Sequence, residues 1–322
     1  MTMNDVRQFF MNSDGNGIEL LSVAVYSLLK HNNPDHPAVI YLAHDKTFVE
    51  RGCKARIDEI VARFAYGKVV YLDYSPCAEE YGKLFQPMLW AFPLCEKILP
   101  RDVRGTIVYI DIDMLILSDL GELFELDLRG KGMIAAAVNE SRREHRQYLI
   151  DAGWPEEAGY AFNNATTVLD LDAFREQGLS DKMIAWQRKY WKTAACLDQD
   201  AQNVAYGAQT LRLPPKWNYT DGWLERLLKH CPFAKEWRVF NPKDVVEAIL
   251  KPKIIHYIGH KKPNRPNRRP ERKIYLKYMR EIGLLTTKRL PGESFGYHVS
   301  CLFADFYHAL LKIYARVLYL YL

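Results

Sequence analysis

The chain has 322 residues, 48% of them hydrophobic and 26% charged, with a formal net charge of +5. That length and balance allow one large core or two modest ones and exclude a disordered chain. The six cysteines include no C-x-x-C pair, which argues against a structural zinc site and a disulfide framework and for a reducing compartment.

The positive charge is concentrated. Between Lys251 and Leu290 thirteen Lys or Arg stand against two Glu, a stretch suited to an anionic partner. No secretory signal is expected from Met1 to Arg7, and no stretch reaches the ~18 uninterrupted apolar residues of a spanning helix.

In chain order, Arg7–Met11 predicts a strand, Asn12–Gly17 a polar glycine loop and Ile18–Lys30 a helix. Pro37–Ala43 predicts a second strand, Lys54–Phe64 a helix and Lys68–Asp73 a third strand. A helical stretch follows from about Glu79 to Leu99, and then a strand from Thr106 to Asp113. Strands alternating with helices of this length imply an α/β fold with a mostly parallel sheet covered on both faces. In such sheets ligands gather at the carboxyl ends of the strands. Further on, Met133–Val138 and Ala165–Leu169 are strand-like, with a charged segment, Asn139 to Gly159, long enough to form a flap. Ser180–Lys192 and Gln199–Tyr206 read as helices, Leu213–Tyr219 as a proline-aromatic loop and Lys253–Ile258 as a short strand. Asn264–Pro270 reads as an extended connector.

The run ending in Asp111-Ile112-Asp113 carries the chemistry. On a strand the two carboxylates point the same way, with Ile112 packed behind them. Like charges held that close require a cation, and oxygen ligands favour Mg²⁺ or Mn²⁺ with room for nucleotide phosphates.

Four separated pieces occur in one order: Asp111-Ile-Asp113, Phe162-Asn163-Asn164, Leu197-Asp-Gln-Asp200 and His256-Tyr-Ile-Gly-His-Lys-Lys262. With the loop Asn12–Asn16 and the phrase Ser118–Asp127, this layout resembles the family 8 glycosyltransferases, the glycogenin and bacterial lipopolysaccharide galactosyl- or glucosyltransferase type, over roughly Arg7 to Pro263. The resemblance implies a single GT-A-like, Rossmann-like domain. It also implies a retaining transferase that takes galactose or glucose from a UDP-sugar, with Mn²⁺ (or Mg²⁺) held by Asp111, Asp113 and His256. Gly259 and Lys262 would lie on the diphosphate. Asn12, Ser13, Asp14, Asn16, Ile112, Asn139, Asn163 and Asn164 would bind the rest of the donor, and Asp198 and Gln199 would flank the transferred sugar. Front-face displacement and a covalent adduct on Asp198 both remain open. The chain also departs from the family pattern. Trp90-Ala91-Phe92-Pro93 stands where a Tyr-x-Arg-Leu arginine is expected, Asn139 stands for a donor-side acid, and Asn163-Asn164-Ala165 replaces Asn-Ala-Gly.

The segment Cys301–Leu322 places Asp305, His308, Lys312 and Arg316 at intervals of three, four and four, one narrow polar stripe on an otherwise apolar helix. With Arg265 to Lys273 nearby, it is expected to lie on an anionic membrane surface, peripheral on the cytoplasmic face of a bacterial inner membrane. The organisation expected is a catalytic domain over residues 1–263, a basic connector and helix over 264–300, and the tail over 301–322. The acceptor expected is a saccharide or glycolipid of the cell envelope. Alternatives are a turnover-deficient sugar-binding or assembly protein, motivated by Phe92, and a haloacid-dehalogenase-like phosphatase, which would give His256 to Lys262 no role. Nucleic acid is not expected as a partner, because the aromatics are not interleaved with the basic residues.

Overall fold

The computed structural model describes residues 6–77, 91–128, 133–135, 143–154, 161–194, 196–220, 241–287, 290 and 294–321. Strands run in the order β1 (Arg7–Ser13), β2 (Ala38–His44), β3 (Gly67–Asp73), β4 (Thr106–Ile110), β5 (Met114–Ile116), β6 (Met133–Ala135), β7 (Thr166–Asp170), β8 (Thr210–Arg212) and β9 (Ile254–His256). The helices include α1 (Ile18–His31), α2 (Cys53–Val61), α3 (Leu179–Tyr190), α4 (Leu197–Tyr206), α5 (Pro242–Leu250), α6 (Arg272–Glu281) and α7 (Phe295–Tyr321). The chain divides into two compact units. The first takes Met1–Ile18, Asn32–Ile112 and Leu120–Leu213, and the second Glu19–His31, Asp113–Asp119 and Pro214–Leu322.

The first unit is built on a seven-stranded sheet of order β3-β2-β1-β4-β7-β6-β8. The strands β3, β2, β1 and β4 are mutually parallel, and β6 pairs parallel with β8, while β7 runs antiparallel to both β4 and β6. The apolar run in β1 is buried almost throughout, as expected of a central strand covered on both faces. One core joins Phe10, Tyr74, Phe92, Tyr109, Phe162, Phe174 and Trp186. The central strand is shorter than the sequence predicts. Its ladder with β7 ends at the pair Ile110 and Thr166, the Asp111 N–H closes on Ala165 O at 3.0 Å, and the chain turns there instead of continuing to Asp113. Of the strand expected over Met133–Val138, residues 136–138 lie outside the described set, as do Glu79–Trp90 of the expected helix and residues 139–142 and 155–159 of the expected flap, whose described part is mostly a helix, Arg143–Asp151.

In the second unit a two-stranded sheet pairs β5 with β9, Met114 opposite His256. Helix α1 is apolar nearly all round, which suits its burial, with Glu19 in its first turn and Lys30 and His31 in its last, the arrangement a helix dipole favours. Helix α5 has a legible start, with Pro242 in its first turn and the Asn241 side chain accepting the Lys243 N–H at 2.9 Å.

The C-terminal α7 is fastened through a buried acid. His308 Nε2 lies 2.9 Å from Glu271 Oε1, Tyr219 Oη donates to the same oxygen at 3.2 Å, and Tyr257 Oη donates to the Glu271 carbonyl at 2.9 Å. Burial alone would raise Glu271, but the His308 hydrogen bond and the charges of His308 and Lys312 hold it below its ordinary 4.5. A depressed carboxylate stabilises the fold above its unfolded value and loses that contribution as pH falls through the folded one. Glu271→Gln is therefore expected to cost about 1–3 kcal/mol at neutral pH. In urea melts at several pH values, its gap to the parent should close below that value; a gap that persists unchanged in acid would refute the assignment.

Candidate active site

Because β1 and β4 are adjacent and parallel, their carboxyl ends share one edge of the sheet, and antiparallel β7 begins at that edge. There the phenol of Tyr109 stands between Asn12 Oδ1, at 2.9 Å, and Asp111 Oδ1, at 2.5 Å. Its single proton favours the charged acceptor. No motif marks Tyr109 in the sequence, although it sits two residues before Asp111, the spacing that puts two strand residues on one face. Phe92, in the expected place of an arginine, is buried and meets the Tyr109 ring edge-on, with centroids 4.7 Å apart. Its role in this fold is to seat the tyrosine.

Strand β1 runs on through Asn12 and Ser13, so the expected loop begins only at Asp14; Ser13 Oγ accepts the Gly15 N–H at 3.1 Å and Asp14 Oδ1 accepts the Asn16 N–H at 2.9 Å. Asn16 is further held by Asp14 and by a guanidinium nitrogen of Arg51. Gly15 has φ +83°, and a Cβ there would stand 3.0 Å from Cys53 Sγ, so both conformation and space call for glycine. Ser13, Asp14 and Asn16 thus shape this turn. Ile112 is half-buried in the bend after Asp111, and Asn139 lies outside the described residues.

Helix α4 brings its first turn to the segment before β7. Its N-cap, Cys196, has no capping side chain, and the fully buried Asp200 accepts the Cys196 N–H at 3.1 Å instead. With that structural task met by Asp200, Asp198 and Gln199 face the two asparagines. Asn164 Nδ2 donates to Asp198 Oδ2 at 3.0 Å, and Asn163 Nδ2 donates to Gln199 Oε1 at 2.9 Å. Gln199 is buried, and its Nε2 has no acceptor among the described residues. A buried donor left without an acceptor is costly unless a ligand supplies one. Asn203, which the sequence reading missed, clamps the same segment: it accepts the Phe162 N–H at 2.8 Å and donates to Phe162 O at 3.0 Å and Gln199 O at 2.8 Å.

In the second unit, the β5–β9 register brings together Asp113 and His256, both buried. His256 Nε2 lies 3.4 Å from Asp113 Oδ1, and its Nδ1 lies 2.9 Å from Asn218 Oδ1. Asn218 also lies in a stretch with no local sequence signal, the proline-aromatic loop. With that amide oxygen as acceptor, Nδ1 carries a proton, and Nε2 is the ring nitrogen that faces Asp113. Lys262 Nζ donates to Asp113 Oδ2 and, at 3.1 Å, to Tyr257 O. Burial would raise the Asp113 carboxyl, yet His256 and Lys262 hold it well below the usual carboxylate range. Gly259 has φ +81° with nothing within 4 Å of an added Cβ, so its backbone conformation, not crowding, requires glycine.

The chain is 27% identical to General stress protein A of Bacillus subtilis over 286 residues, 87% of this chain and 95% of that protein. It is 25% identical to the lipopolysaccharide 1,2-glucosyltransferase of Escherichia coli, covering 78% of this chain and 69% of the relative. Among solved structures, galactosyltransferase LgtC with donor and acceptor sugar analogs superposes with a TM-score of 0.68 at 17% identity, over 91% of this chain and 99% of that one. The bifunctional glycosyltransferase WbbM gives 0.67 at 18% identity, over 89% of this chain, which spans 51% of WbbM. These likenesses bear out a GT-A-like fold with a mostly parallel, helix-flanked sheet. Residues 8–265 match the family model described as glycosyl transferase family 8, a span that holds every residue from Asn12 to Lys262 discussed above, and the chain belongs to that family of glycosyltransferases.

Proposed function

We propose that the protein is a retaining hexosyltransferase that moves galactose or glucose from a UDP-sugar to a saccharide or glycolipid acceptor, a lipopolysaccharide or another cell-envelope glycan. Mn²⁺ or Mg²⁺ is its proposed cofactor. The observation that carries this reading is the buried couple of Asp113, just before β5, and His256, at the end of β9, brought together by the pairing of strands far apart in sequence. Kinship with a lipopolysaccharide 1,2-glucosyltransferase supports the choice of donor and acceptor class.

Asp111, Asp113 and His256 are the side chains that would hold the ion. Their chemistry suits it: two carboxylates and an imidazole are ligands such ions accept, and with Nδ1 engaged by Asn218, Nε2 is the atom that would exchange a proton for the ion. When bound, the ion would neutralise charge that develops on the departing diphosphate. Lys262 would add a point charge against the same phosphates, and Asn12, Ser13, Asp14 and Asn16 would contact uracil and ribose. In the transfer, the glycosyl C–O bond to the diphosphate breaks with its electron pair staying on the leaving group, and an acceptor hydroxyl oxygen bonds to the anomeric carbon as its proton passes to the departing diphosphate. Gln199 Nε2 would orient the sugar, with Asn163 and Asn164 holding Gln199 and Asp198 in place. Asp198 would stabilise positive charge at the anomeric carbon or bond to it covalently. Residues up to 263 would do this chemistry, Ile112 and Asn139 contributing to the donor site, while the tail from 301 would rest on the inner face of a cytoplasmic membrane. No helix among the described residues is long and apolar enough to cross a membrane.

A second reading, a sugar-binding protein without turnover, draws on Phe92, a buried ring where a phosphate-facing cation is expected. Screening UDP-, GDP- and CDP-sugars for nucleotide release without acceptor separates the two. The expected result is slow UDP release from UDP-galactose or UDP-glucose that EDTA abolishes and Mn²⁺ restores. Donor binding without release would favour the second reading, and release indifferent to metal would defeat the first.

A further inference from the structure

Helices α6 and α7 enclose a cavity of about 340 Å³ whose lining includes Arg268, Arg269, Arg272, Lys273 and Arg280, with Asp305 the one carboxylate among the described lining residues. On α6, Arg272, Leu276 and Arg280 recur at four-residue intervals, so they form one stripe along the cavity. Arg269 is oriented by donating to Ile258 O at 2.6 Å, and the buried Arg272 lies over the Tyr297 ring with Cζ 5.7 Å from its centroid. Lys273 pairs with Asp305, which engages the acid. Five cations lining one pocket make its interior attractive to an anion. Guanidinium forks suit the several oxygens of a phosphate.

The neighbouring face of α7 is the reverse of a docked amphipathic helix. Its polar residues Asp305 and His308 turn inward, onto Lys273 and Glu271. Its apolar residues Leu302, Phe303, Phe306, Leu310, Ile313 and Val317 point outward, Phe303 at 72% and Phe306 at 65% exposure. At 100° per residue, Asp305 and Cys301, on the cavity side, border this apolar strip along one edge. A wide apolar face beside a cationic pocket matches a bilayer whose headgroups carry negative charge, with Tyr307 and Tyr314, also exposed, at the polar boundary.

We infer that the cavity between α6 and α7 binds the phosphate of an anionic lipid headgroup while the outer face of α7 enters the adjoining acyl region. This rests on the membrane placement proposed above and adds to it a defined headgroup site.

The test is co-sedimentation of the full chain with vesicles of phosphatidylcholine alone or mixed with phosphatidylglycerol. Binding to the mixed vesicles should weaken roughly 100-fold in the triple variant Arg268→Gln/Lys273→Gln/Arg280→Gln, on the order of fivefold per basic residue. Binding to neutral vesicles should stay as in the parent. Phe303→Ser/Phe306→Ser should lose both. Asp305→Asn, which removes the acid without touching a cation, should strengthen binding to the charged vesicles by a few-fold. A triple variant that binds charged vesicles as tightly as the parent overturns the headgroup site and leaves the membrane placement standing. If the parent pellets with neither vesicle, the membrane placement fails too. Saturable calorimetric binding of inorganic pyrophosphate, lost in the triple variant, would then give the cavity to a soluble phosphate. A parent dimer that Phe303→Ser/Phe306→Ser dissociates would give the apolar face to a second copy of the chain, against the proposal.

Discussion

Asp113→Asn is expected to lower metal-dependent UDP release by three orders of magnitude or more while leaving the circular dichroism spectrum unchanged. A loss of that size corresponds to about 4 kcal/mol of transition-state stabilisation, within what a divalent ion at a developing phosphate charge supplies. Asparagine keeps the volume and one acceptor oxygen but removes the charge that faces both His256 Nε2 and Lys262 Nζ. Some stability should go with it, since a carboxylate depressed in the folded state stabilises at neutral pH. That cost is limited because Lys262 is partly exposed and can turn to solvent. The control is Lys262→Ala, which removes the ammonium and keeps the acid. It should retain roughly 1–10% of the release, as expected for one phosphate contact out of several. A second readout needs no turnover: Mn²⁺ should raise the melting temperature of the parent by mass action and leave that of Asp113→Asn unmoved. Equal Mn²⁺ stabilisation of both proteins would remove Asp113 from the ligand set.

The parts of this fold legible in the sequence are those fixed by local pattern. The apolar runs of β1 to β3, the polar turn after β1 and the three-four-four stripe on α7 are each decided within a few residues, so periodicity finds them. What periodicity misreads is where β4 stops. The apolar alternation continues through Asp111, Asp113 and Leu115, but the strand ends where β7, a partner some sixty residues later, runs out of residues to pair. Strands β5 and β9 are three residues each, and only their mutual pairing makes them strands. The same holds for the site. Asp113 and His256 are visible as residue types in spaced motifs, whereas Asn218 and Asn203 are ordinary asparagines until the fold sets them against His256 Nδ1 and the Phe162 backbone. On α7 the stripe was legible but not its direction, because the partners Glu271 and Lys273 belong to another helix.

The position of Asn203 leads to the second large effect. Asn203→Leu is expected to destabilise the fold by about 3–5 kcal/mol, since leucine fills the space but strands three buried backbone groups: the Phe162 N–H and C=O and the Gln199 C=O. The Gln199 carbonyl is on α4 and less exposed to this loss, so most of the penalty falls on Phe162, whose ring stacks on Tyr206 with centroids 5.6 Å apart. Once the Phe162 backbone is released, the next two residues lose their anchorage, and Asn163 and Asn164 are the donors that hold Gln199 Oε1 and Asp198 Oδ2. Misplacing such groups by an ångström costs on the order of 100-fold in rate. UDP release measured well below the variant's melting point should fall by that factor even though no residue proposed to touch the donor has changed. Asn203→Asp should sit between, because it keeps the acceptor for the Phe162 N–H but sets a carboxylate against the Phe162 carbonyl. Urea unfolding gives the stability and donor hydrolysis the rate. If Asn203→Leu unfolds earlier yet releases UDP at the parental rate, the segment is held by something other than this clamp, and the link from Asn203 through Asn163 to Gln199 is wrong.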